Sequence, residues 1–379
     1  MLRWMSVALC AAAALLLPIA LHAADAPPSA APPAAAVPLS YSSPDTDTTP
    51  IGNLRFHGPF GNNTLSISAD KIPPHDFLDI SCDLLILRSW DGSTQITQED
   101  LKPAPIGPDF LRIGLHGGPT LLYTTFCNLP DDPQFKGEKT QNYPSVVPGD
   151  QLEAAGGSIS HNSLGYHYPV PGPPQLEPMD AVYHLHFLVP HKGGEAMLEF
   201  TGLNLQDLID ENWGVMNVEV HAVGASDVPK PSADEIAAAL TACAKADPKT
   251  DVPGAFQTLI NGMDDTVAWM DAHVKPVPID ASAVPDLLKD LGSGDENMTA
   301  REAAHPALVK LGIQIEPLLR DARKNAPGEL RHRIDWALES LDVSYISDDG
   351  LRRVMIATRA LEIIGTPKAL ELRKKLTQN

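Results

Sequence analysis

The sharpest metal-binding pattern in the sequence is the pair His184-x-His186. The surrounding residues, 182–189, alternate between polar and apolar, and a strand with that period places both imidazoles on one face. Two imidazoles chelate Zn²⁺ or Cu²⁺ when a third ligand reaches the ion. Candidates for that third ligand are His161, His167 and His191. The alternative, two solvated histidines on an outer sheet face, is the commoner arrangement in antiparallel sheets.

The acidic pair Asp210-Glu211, next to Trp213, is the best candidate for acid–base chemistry. Glycosidases place two carboxyl groups on either side of a cleft, so a hydrolase acting on extracytoplasmic polysaccharide is one hypothesis. Carboxylates in a loop at the end of a β-sandwich more often have a structural role. Together with Asn217, the pair also provides oxygen donors for a structural cation such as Ca²⁺. The chain lacks G-x-S-x-G, H-E-x-x-H, P-loop and Rossmann motifs, so we assign no catalytic residue and expect no other cofactor.

Aromatic rings on a protein surface are platforms on which sugars stack, and four residues are candidates for this role. Tyr166 and Tyr168 lie in a long Pro- and Gly-rich stretch, 130–178, where a binding site could be built. Trp90 and Trp213 lie at the ends of predicted strands. Their alternative role, as core side chains, is the commoner one for tryptophan.

The composition limits the classes of function open to the chain. Its 379 residues are 43% hydrophobic and 20% charged, which is typical of a folded protein of one large or two smaller domains. The formal net charge of −20 repels phosphate backbones, so we expect no nucleic-acid partner. Four cysteines are too few for a disulfide-rich framework.

Residues 1–26 have the pattern of a secretory signal peptide. Arg3 precedes an apolar run from Val7 to Leu21, and small residues follow it. The run is shorter than the ~20 residues that cross a bilayer, so no membrane span is expected after cleavage. Residues 27–50 are rich in Pro and Ala, which predicts an extended linker. We therefore expect an exported protein, in the periplasm, at the cell surface or outside the cell.

Residues 51–225 have the pattern of an antiparallel β-sandwich domain. Short segments alternate with a period of two, and turn residues such as Asp91-Gly92 and Gly156-Gly157 separate them. Short strands divided by such turns are typical of sandwiches, of which the jelly roll is one form. The predicted strands are 64–68, 77–87, 111–115, 121–126, 182–189, 197–200 and 215–223.

Several segments within residues 53–222 resemble a jelly-roll module of exported bacterial proteins, related in style to carbohydrate-binding and lectin-like sandwiches. The matching segments are Phe56–Asn62, Pro73–Asp76, Asp83–Gly92, Gly107–Asp109, Gly118–Leu122 and Asp210–Val218. The resemblance implies a glycan or another surface protein as partner, and it adds Asp91 and Asp109 to the ligand candidates. Met216 stands where the family usually carries an acidic residue.

Cys82 lies in one predicted strand and Cys127 directly follows another. The resemblance leads us to expect other residue types at both positions, and export places the thiols in an oxidising compartment. Neighbouring strands bring opposed Cα atoms within the span of a disulfide. We therefore predict a Cys82–Cys127 disulfide, with two separate buried thiols as the alternative. Cys243 is expected to be a buried free thiol.

Residues 226–379 have helical patterns. A linker and first helix occupy 226–252, and this helix begins at a capping box formed by Ser232 and Glu235. Apolar residues then recur at helical spacing. The predicted helices after the first are 253–261, 264–273, 284–291, 299–311, 316–324, 328–341, 349–364 and 366–376.

Three segments of this half, Leu288–Leu291, Thr299–Ala304 and Ala360–Ala369, resemble a HEAT-like module. Residues 253–379 are accordingly identified as a HEAT-like helical domain. The resemblance implies a surface that docks a protein partner, and it implies no catalytic residue.

The predicted fold class is a β + α multidomain protein, in which an antiparallel, jelly-roll-like β-sandwich precedes an α-helical HEAT-like solenoid. The predicted function is that of an exported, non-catalytic binding or scaffold protein. In this hypothesis the helices dock a protein and the sandwich contacts a glycan or a surface protein. The alternative is the polysaccharide-acting hydrolase with carboxylates near Asp210 and Glu211.

Overall fold

The computed structural model describes residues 36–93, 108–129, 140–167, 178–245, 247, 250–277, 281–294, 297–341 and 346–377. Antiparallel β-sheets form the N-terminal part of this region, and helices form the C-terminal part. The predicted signal peptide, 1–26, lies outside the described residues.

Thirteen strands occur in the described residues. Their bounds are β1 Leu39–Tyr41, β2 Thr46–Thr48, β3 Arg55–Phe60, β4 Thr64–Asp70, β5 Phe77–Arg88, β6 Phe110–Leu115, β7 Thr120–Thr125, β8 Thr140–Gln141, β9 Leu152–Glu153, β10 Ser160–His161, β11 Asp180–Pro190, β12 Glu195–Leu203 and β13 Glu211–Val223. One sheet has the order β1-β4-β12-β6-β7, a second has the order β10-β11-β5-β13-β3-β2, and β8 pairs with β9.

Alternating burial explains why these segments form sheets around a core. In β4, Leu65 and Ile67 are fully buried while the residues between and before them are more exposed. Side chains from both large sheets join one hydrophobic cluster, which includes Phe200 of the five-stranded sheet and Leu84 and Trp213 of the six-stranded sheet. The predicted strands are confirmed in position, although most are a few residues longer than predicted.

Two short strands lie in the segment that the sequence predicts as a linker. β1 pairs with β4, and β2 pairs with β3. The buried Val37 donates its N–H to the carbonyl of Val220 at 2.8 Å. Residues 37–48 therefore belong to the sheets. Main-chain hydrogen bonds hold these short strands with few apolar side chains, so composition does not reveal them.

Nine α-helices follow β13 in the described residues. Their bounds are α1 Ala233–Lys245, α2 Val252–Asn261, α3 Met263–His273, α4 Val284–Leu291, α5 Met298–Leu311, α6 Glu316–Lys324, α7 Gly328–Ser340, α8 Asp349–Ile364 and α9 Pro367–Thr377. The predicted helices are confirmed to within one residue at each end. None of the helices in the described part of the chain combines the length and the apolar character needed to cross a bilayer.

Sequence signals at the helix ends explain why the predicted and observed helix bounds agree. The capping box is confirmed, because Glu235 N–H donates to Ser232 Oγ at 3.3 Å and Ser232 N–H donates to Glu235 Oε2 at 2.7 Å. Gly365 ends α8 in the left-handed conformation, with φ of 64°, that glycine adopts without steric cost.

Helix α8 is the centre of the helical part. It packs against α1, α2, α3, α6 and α9, and residues 354–358 and 360–364 are all buried. In a regular solenoid each repeat contacts only its neighbours. The position of α8 differs from that arrangement, because one helix contacts partners that are distant in sequence.

A buried ion pair between Asp150 and Arg352 joins the sheets to α8. Arg352 Nη2 donates to Asp150 Oδ2 at 2.7 Å, and Arg352 Nε donates to the carbonyl of Ala244 at 2.6 Å. The hydroxyl of Ser145 donates to the same Asp150 oxygen at 2.6 Å. The two charged side chains are only 5% and 3% exposed. Residues Ala35–Asn379 accordingly cluster into one compact unit.

Glu316, the first residue of α6, forms a second buried connection. Its Oε1 accepts from Arg320 Nη2 at 2.6 Å and from Arg359 Nη2 at 2.8 Å. Burial raises the pKa of Glu316, but Arg359 and Arg320 outweigh burial and hold it at about 2. Arg359 also donates to the carbonyl of Val146 at 2.6 Å, so the segment that carries Asp150 is held at two points.

The predicted Cys82–Cys127 disulfide is not formed. Cys82 is a buried free cysteine in β5, where it lies opposite Leu185 of β11. Cys127 follows β7, a strand of the other large sheet, and lies opposite Asp91. The prediction assumed that the two strands are neighbours, and their separation into different sheets removes that condition. Cys243 is a buried free cysteine, as predicted.

We predict that Arg352→Ala lowers the free energy of unfolding by about 3–5 kcal/mol, because it leaves the Asp150 carboxylate buried without its partner. The matched control is Arg353→Ala, one residue along the same helix. Arg353 pairs with Asp349 at 2.7 Å on the exposed side, and losing such a pair costs about 1 kcal/mol or less. Urea unfolding of both variants measures the difference. Equal losses for the two variants would contradict the role given to Arg352.

Candidate functional site

Three acidic residues from distant parts of the sequence meet at one end of the sheets. Asp91 follows β5, Asp109 precedes β6 and Glu211 begins β13. Each offers a carboxylate oxygen, and these oxygens lie within 4.8 Å of one another. Among the described residues, this is the one group of three or more His, Cys, Asp or Glu side chains spaced to hold a metal ion.

Hydrogen bonds position these three residues, Asp91, Asp109 and Glu211, which we call the acidic cluster. The N–H of Asp91 donates to Asp109 Oδ2, and the N–H of Asp109 donates to the carbonyl of Gly92 at 3.0 Å. Gln206 Nε2 donates to Asp91 Oδ2 and to Glu211 Oε1, in each case at 3.1 Å. One amide therefore bridges two of the three carboxylates.

The acidic cluster is buried without a compensating cation. Asp109 and Glu211 are 0% exposed and Asp91 is 7% exposed. Among the described residues, no Lys, Arg or His forms an ion pair with any of the three. Burial first, and then the neighbouring carboxylates, raise the pKa of Asp91 to about 7 and the pKa of Asp109 well above its usual range. Burial likewise raises the pKa of Glu211 to about 8.

Two of the predicted oxygen donors lie outside the acidic cluster. Asp210 accepts a hydrogen bond from the hydroxyl of Ser89 and does not belong to the group of three, although its charge helps to raise the pKa of Asp91. Asn217 lies at a bulge of β13 and donates from Nδ2 to Asp83 Oδ2 at 2.7 Å. Because Glu211 is fully buried, the predicted carboxylate pair does not flank an open cleft.

The two histidines of the His184-x-His186 pattern each bind a carboxylate of β5. His184 Nδ1 is 2.7 Å from Asp83 Oδ1, and His186 Nε2 is 2.7 Å from Asp79 Oδ1. Both imidazoles are about half exposed. The described residues bring no third metal ligand to them, and His191 instead lies 2.8 Å from His75, measured between ring nitrogens.

The aromatic ligand candidates are in the interior. Trp90 and Trp213 are 0% exposed, and their indole N–H groups donate to the carbonyls of Asn212 and Gly61, each at 2.9 Å. Tyr166 is buried, with the guanidinium of Arg88 5.9 Å from its ring centre. None of these three rings offers an open face to a sugar. Tyr168 lies outside the described residues.

A cleft of about 560 Å³ lies between strand β11 and helix α2. Six consecutive residues of β11, His184–Val189, form one wall, and residues of α2 from Pro253 to Asn261 form the opposite wall. Successive side chains of a strand point to opposite faces, so a run of consecutive lining residues means that the cleft runs along the edge of the strand.

The edge of β11 that faces this cleft is partly unpaired. The carbonyls of Asp180 and Val182 accept from Asn162 and Ile159 at 2.7 and 2.8 Å. Six residues after Val182, Leu188 donates to Gln257 Oε1 at 3.0 Å and accepts from Gln257 Nε2 at 2.8 Å. Outward-facing backbone groups recur every second residue in an antiparallel strand.

His184 and His186 lie between these two paired regions. Their N–H and C=O groups therefore point outward from the strand as well. No hydrogen-bond partner for these four groups occurs among the described residues. We call them the open edge.

The open edge was not predicted from the sequence. The sequence did predict the strand and the amphipathic alternation around His184 and His186. Whether a strand has a neighbour depends on residues far away in the chain, here Ile159 and Gln257. Nothing in the sequence around Gln257 indicates that its side-chain amide takes the place of a neighbouring strand. Only the burial of α2 against β11 reveals that role.

No family model, no curated protein and no solved structure matches this chain. The two resemblances therefore gain no support from a known relative.

We predict that protein freed of divalent cations loses stability as the pH rises from about 4 to about 8. Over that window the folded protein keeps protons on Asp91, Asp109 and Glu211 that the unfolded chain has released, so the unfolded state is favoured until the native carboxyls also ionise. Urea unfolding at stepped pH measures the slope. Glu211→Gln removes one of the three groups and should flatten it. The same slope in both proteins would contradict the assignment.

Proposed function

We propose that this protein is a non-catalytic binding protein whose cleft between β11 and α2 takes an extended peptide segment. The observation that carries the proposal is the open edge. Its N–H and C=O groups at His184 and His186 face a cleft and have no partner among the described residues. A peptide that adds a strand to an exposed edge gains main-chain hydrogen bonds, and pockets beside the edge select its side chains.

The length of the open edge limits the paired segment to a short one. β10 occupies the edge on one side, and the amide of Gln257 occupies it on the other. Two outward-facing residues remain, so an antiparallel peptide forms four hydrogen bonds across three of its residues. The cleft volume lies within the range of small ligand sites, which suits a short segment better than a folded domain.

The chemistry of the walls favours a peptide with apolar and basic residues. Leu121, Phe256 and Ile363 line the cleft and suit apolar side chains. Glu153 and Asp251 also line it, whereas no Lys or Arg of the described part of the chain does. Complementary charge selects between partners and speeds their encounter, so Lys or Arg in the peptide is favoured over Asp or Glu.

The proposal includes the setting inferred from the sequence. The signal-peptide pattern of residues 1–26 supports export to the periplasm or cell surface, and the net charge of −20 disfavours a nucleic-acid partner. We propose that the two large sheets form a jelly-roll-like sandwich and that the helices are HEAT-like in their neighbouring pairs, although the central position of α8 departs from a regular solenoid. In this proposal a protein partner replaces the glycan as the main ligand, because the buried Trp90 and Trp213 offer no stacking surface.

We predict that peptides selected from a phage-displayed library of random seven-residue sequences carry Lys or Arg and alternate these with apolar residues. A selected peptide, labelled with fluorescein, would then be titrated with wild type, His186→Ala and His186→Pro, with anisotropy as the readout. His186→Ala changes the side chain and keeps the N–H. His186→Pro removes an outward N–H without touching the ladder to β5, since proline is tolerated on strand edges.

The expected result is near-wild-type affinity for His186→Ala and a loss of about tenfold or more for His186→Pro. If His186→Pro does not fold, N-methylation of the peptide's edge-facing amides tests the same hydrogen bonds and should weaken binding similarly. Equal affinity for both variants, or for the methylated peptide, would overturn the proposal. So would the absence of any enriched peptide, or an edge already closed by a second copy of the chain in a stable dimer.

A further inference from the structure

We propose that Asp91, Asp109 and Glu211 bind a divalent cation of the Ca²⁺ class. This site is separate from the peptide cleft and does not depend on the function proposed for it. The donors are carboxylate oxygens only, which are the ligands that hard cations prefer over softer metals.

The first observation is the charge imbalance of the acidic cluster. Three carboxylates within 4.8 Å of one another are buried, and none forms an ion pair with a cationic side chain of the described residues. Burying like charges together is costly unless protons or a cation neutralise them. Arginines neutralise the buried carboxylates of Asp150 and Glu316, and four backbone N–H groups bind the buried carboxylate of Asp180, so the acidic cluster differs from all three.

The second observation is an unpartnered oxygen inside the acidic cluster. Asp109 is 0% exposed, and its Oδ1 has no hydrogen-bond partner among the described residues. Its other oxygen accepts the N–H of Asp91, which holds the carboxylate in place. A buried carboxylate oxygen that is held in place and left unbonded costs free energy in the absence of a ligand. A cation between the three carboxylates satisfies it.

Gln206 is the residue best placed to complete the oxygen set. Its amide Nε2 lies 3.1 Å from both Asp91 Oδ2 and Glu211 Oε1. Rotation of the amide by half a turn exchanges Nε2 for Oε1, which places a neutral oxygen ligand beside the carboxylates. In the absence of a cation the N–H₂ group bridges the carboxylates, and in its presence the carbonyl oxygen joins them as a ligand.

The position of the acidic cluster gives the cation a structural role. Asp91 follows β5 and Glu211 begins β13, both strands of the six-stranded sheet, and Asp109 immediately precedes β6 of the five-stranded sheet. A cation held by all three links the two sheets at one end. The chain lacks a disulfide at Cys82 that could serve the same purpose.

Terbium luminescence tests the site directly. Tb³⁺ occupies oxygen-rich Ca²⁺ sites and emits when a nearby indole is excited, and Trp90 is the residue next to Asp91. The full-length protein, freed of metal by dialysis against EDTA, would be titrated with Tb³⁺ and then with Ca²⁺ as competitor. Thermal unfolding in EDTA and in excess Ca²⁺ is the second readout. The variants are Asp109→Asn and Glu211→Gln, with Asp70→Asn, an exposed carboxylate at the end of β4, as the matched control.

The expected result is saturable emission that Ca²⁺ displaces, with a Ca²⁺-dependent rise in Tm of about 5 °C at a hundredfold excess over Kd. Both effects should persist in Asp70→Asn and vanish in Asp109→Asn. If Asp109→Asn does not fold, Glu211→Gln should lose at least tenfold in Tb³⁺ affinity. No saturable emission from wild type, or equal emission from all variants, would overturn the proposal. An Asp109→Asn protein that is more stable than wild type in both EDTA and Ca²⁺ would overturn it too, because protons alone would then neutralise the acidic cluster.

Discussion

The buried ion pair between Asp150 and Arg352 is the interaction on which the rest of the architecture depends. It joins the segment after β8 to the central helix α8, and α8 in turn contacts most of the other helices. Arg352 uses its remaining donors on the carbonyls of Ala244 and Ile346, so the guanidinium is bonded on several sides. A desolvated ion pair of this kind stabilises a fold only when its geometry is good and further hydrogen bonds satisfy its remaining donors and acceptors. Arg352 links α8 and the end of α1 to the segment that carries Asp150, and α2, which packs against α8, forms one wall of the cleft beside β11.

The cleft and the acidic cluster are connected by one buried residue, Gln141. Its Oε1 accepts the N–H of Cys127 at 3.0 Å, and Cys127 lies opposite Asp91 of the acidic cluster. Its Nε2 donates to the carbonyl of Tyr143 at 2.9 Å, and Tyr143 lines the cleft. A single side chain therefore ties the end of the sheets that holds the carboxylates to a wall of the cleft.

Features that depend on neighbouring residues were predictable, and features that depend on pairing between distant ones were not. Helix ends followed from local signals such as the Ser232–Glu235 capping box and the left-handed Gly365. Strand positions followed from alternation. The allocation of β5 and β7 to different sheets did not, and the expected Cys82–Cys127 bond failed for that reason. Asp91, Asp109 and Glu211 were all named as candidates, but Asp91 and Glu211 are 120 positions apart, and only the fold places them together.

Amide hydrogen exchange at the open edge tests the central claim most directly. The N–H groups of His184 and His186 face the cleft without a partner in the described residues, whereas the N–H of Leu188 is already bonded to Gln257. In the free protein, the two histidine amides should exchange faster than that of Leu188. On addition of a selected peptide, both should slow markedly while Leu188 changes little, because only the open edge gains hydrogen bonds. Unchanged exchange at His184 and His186 in the saturated complex would contradict the account.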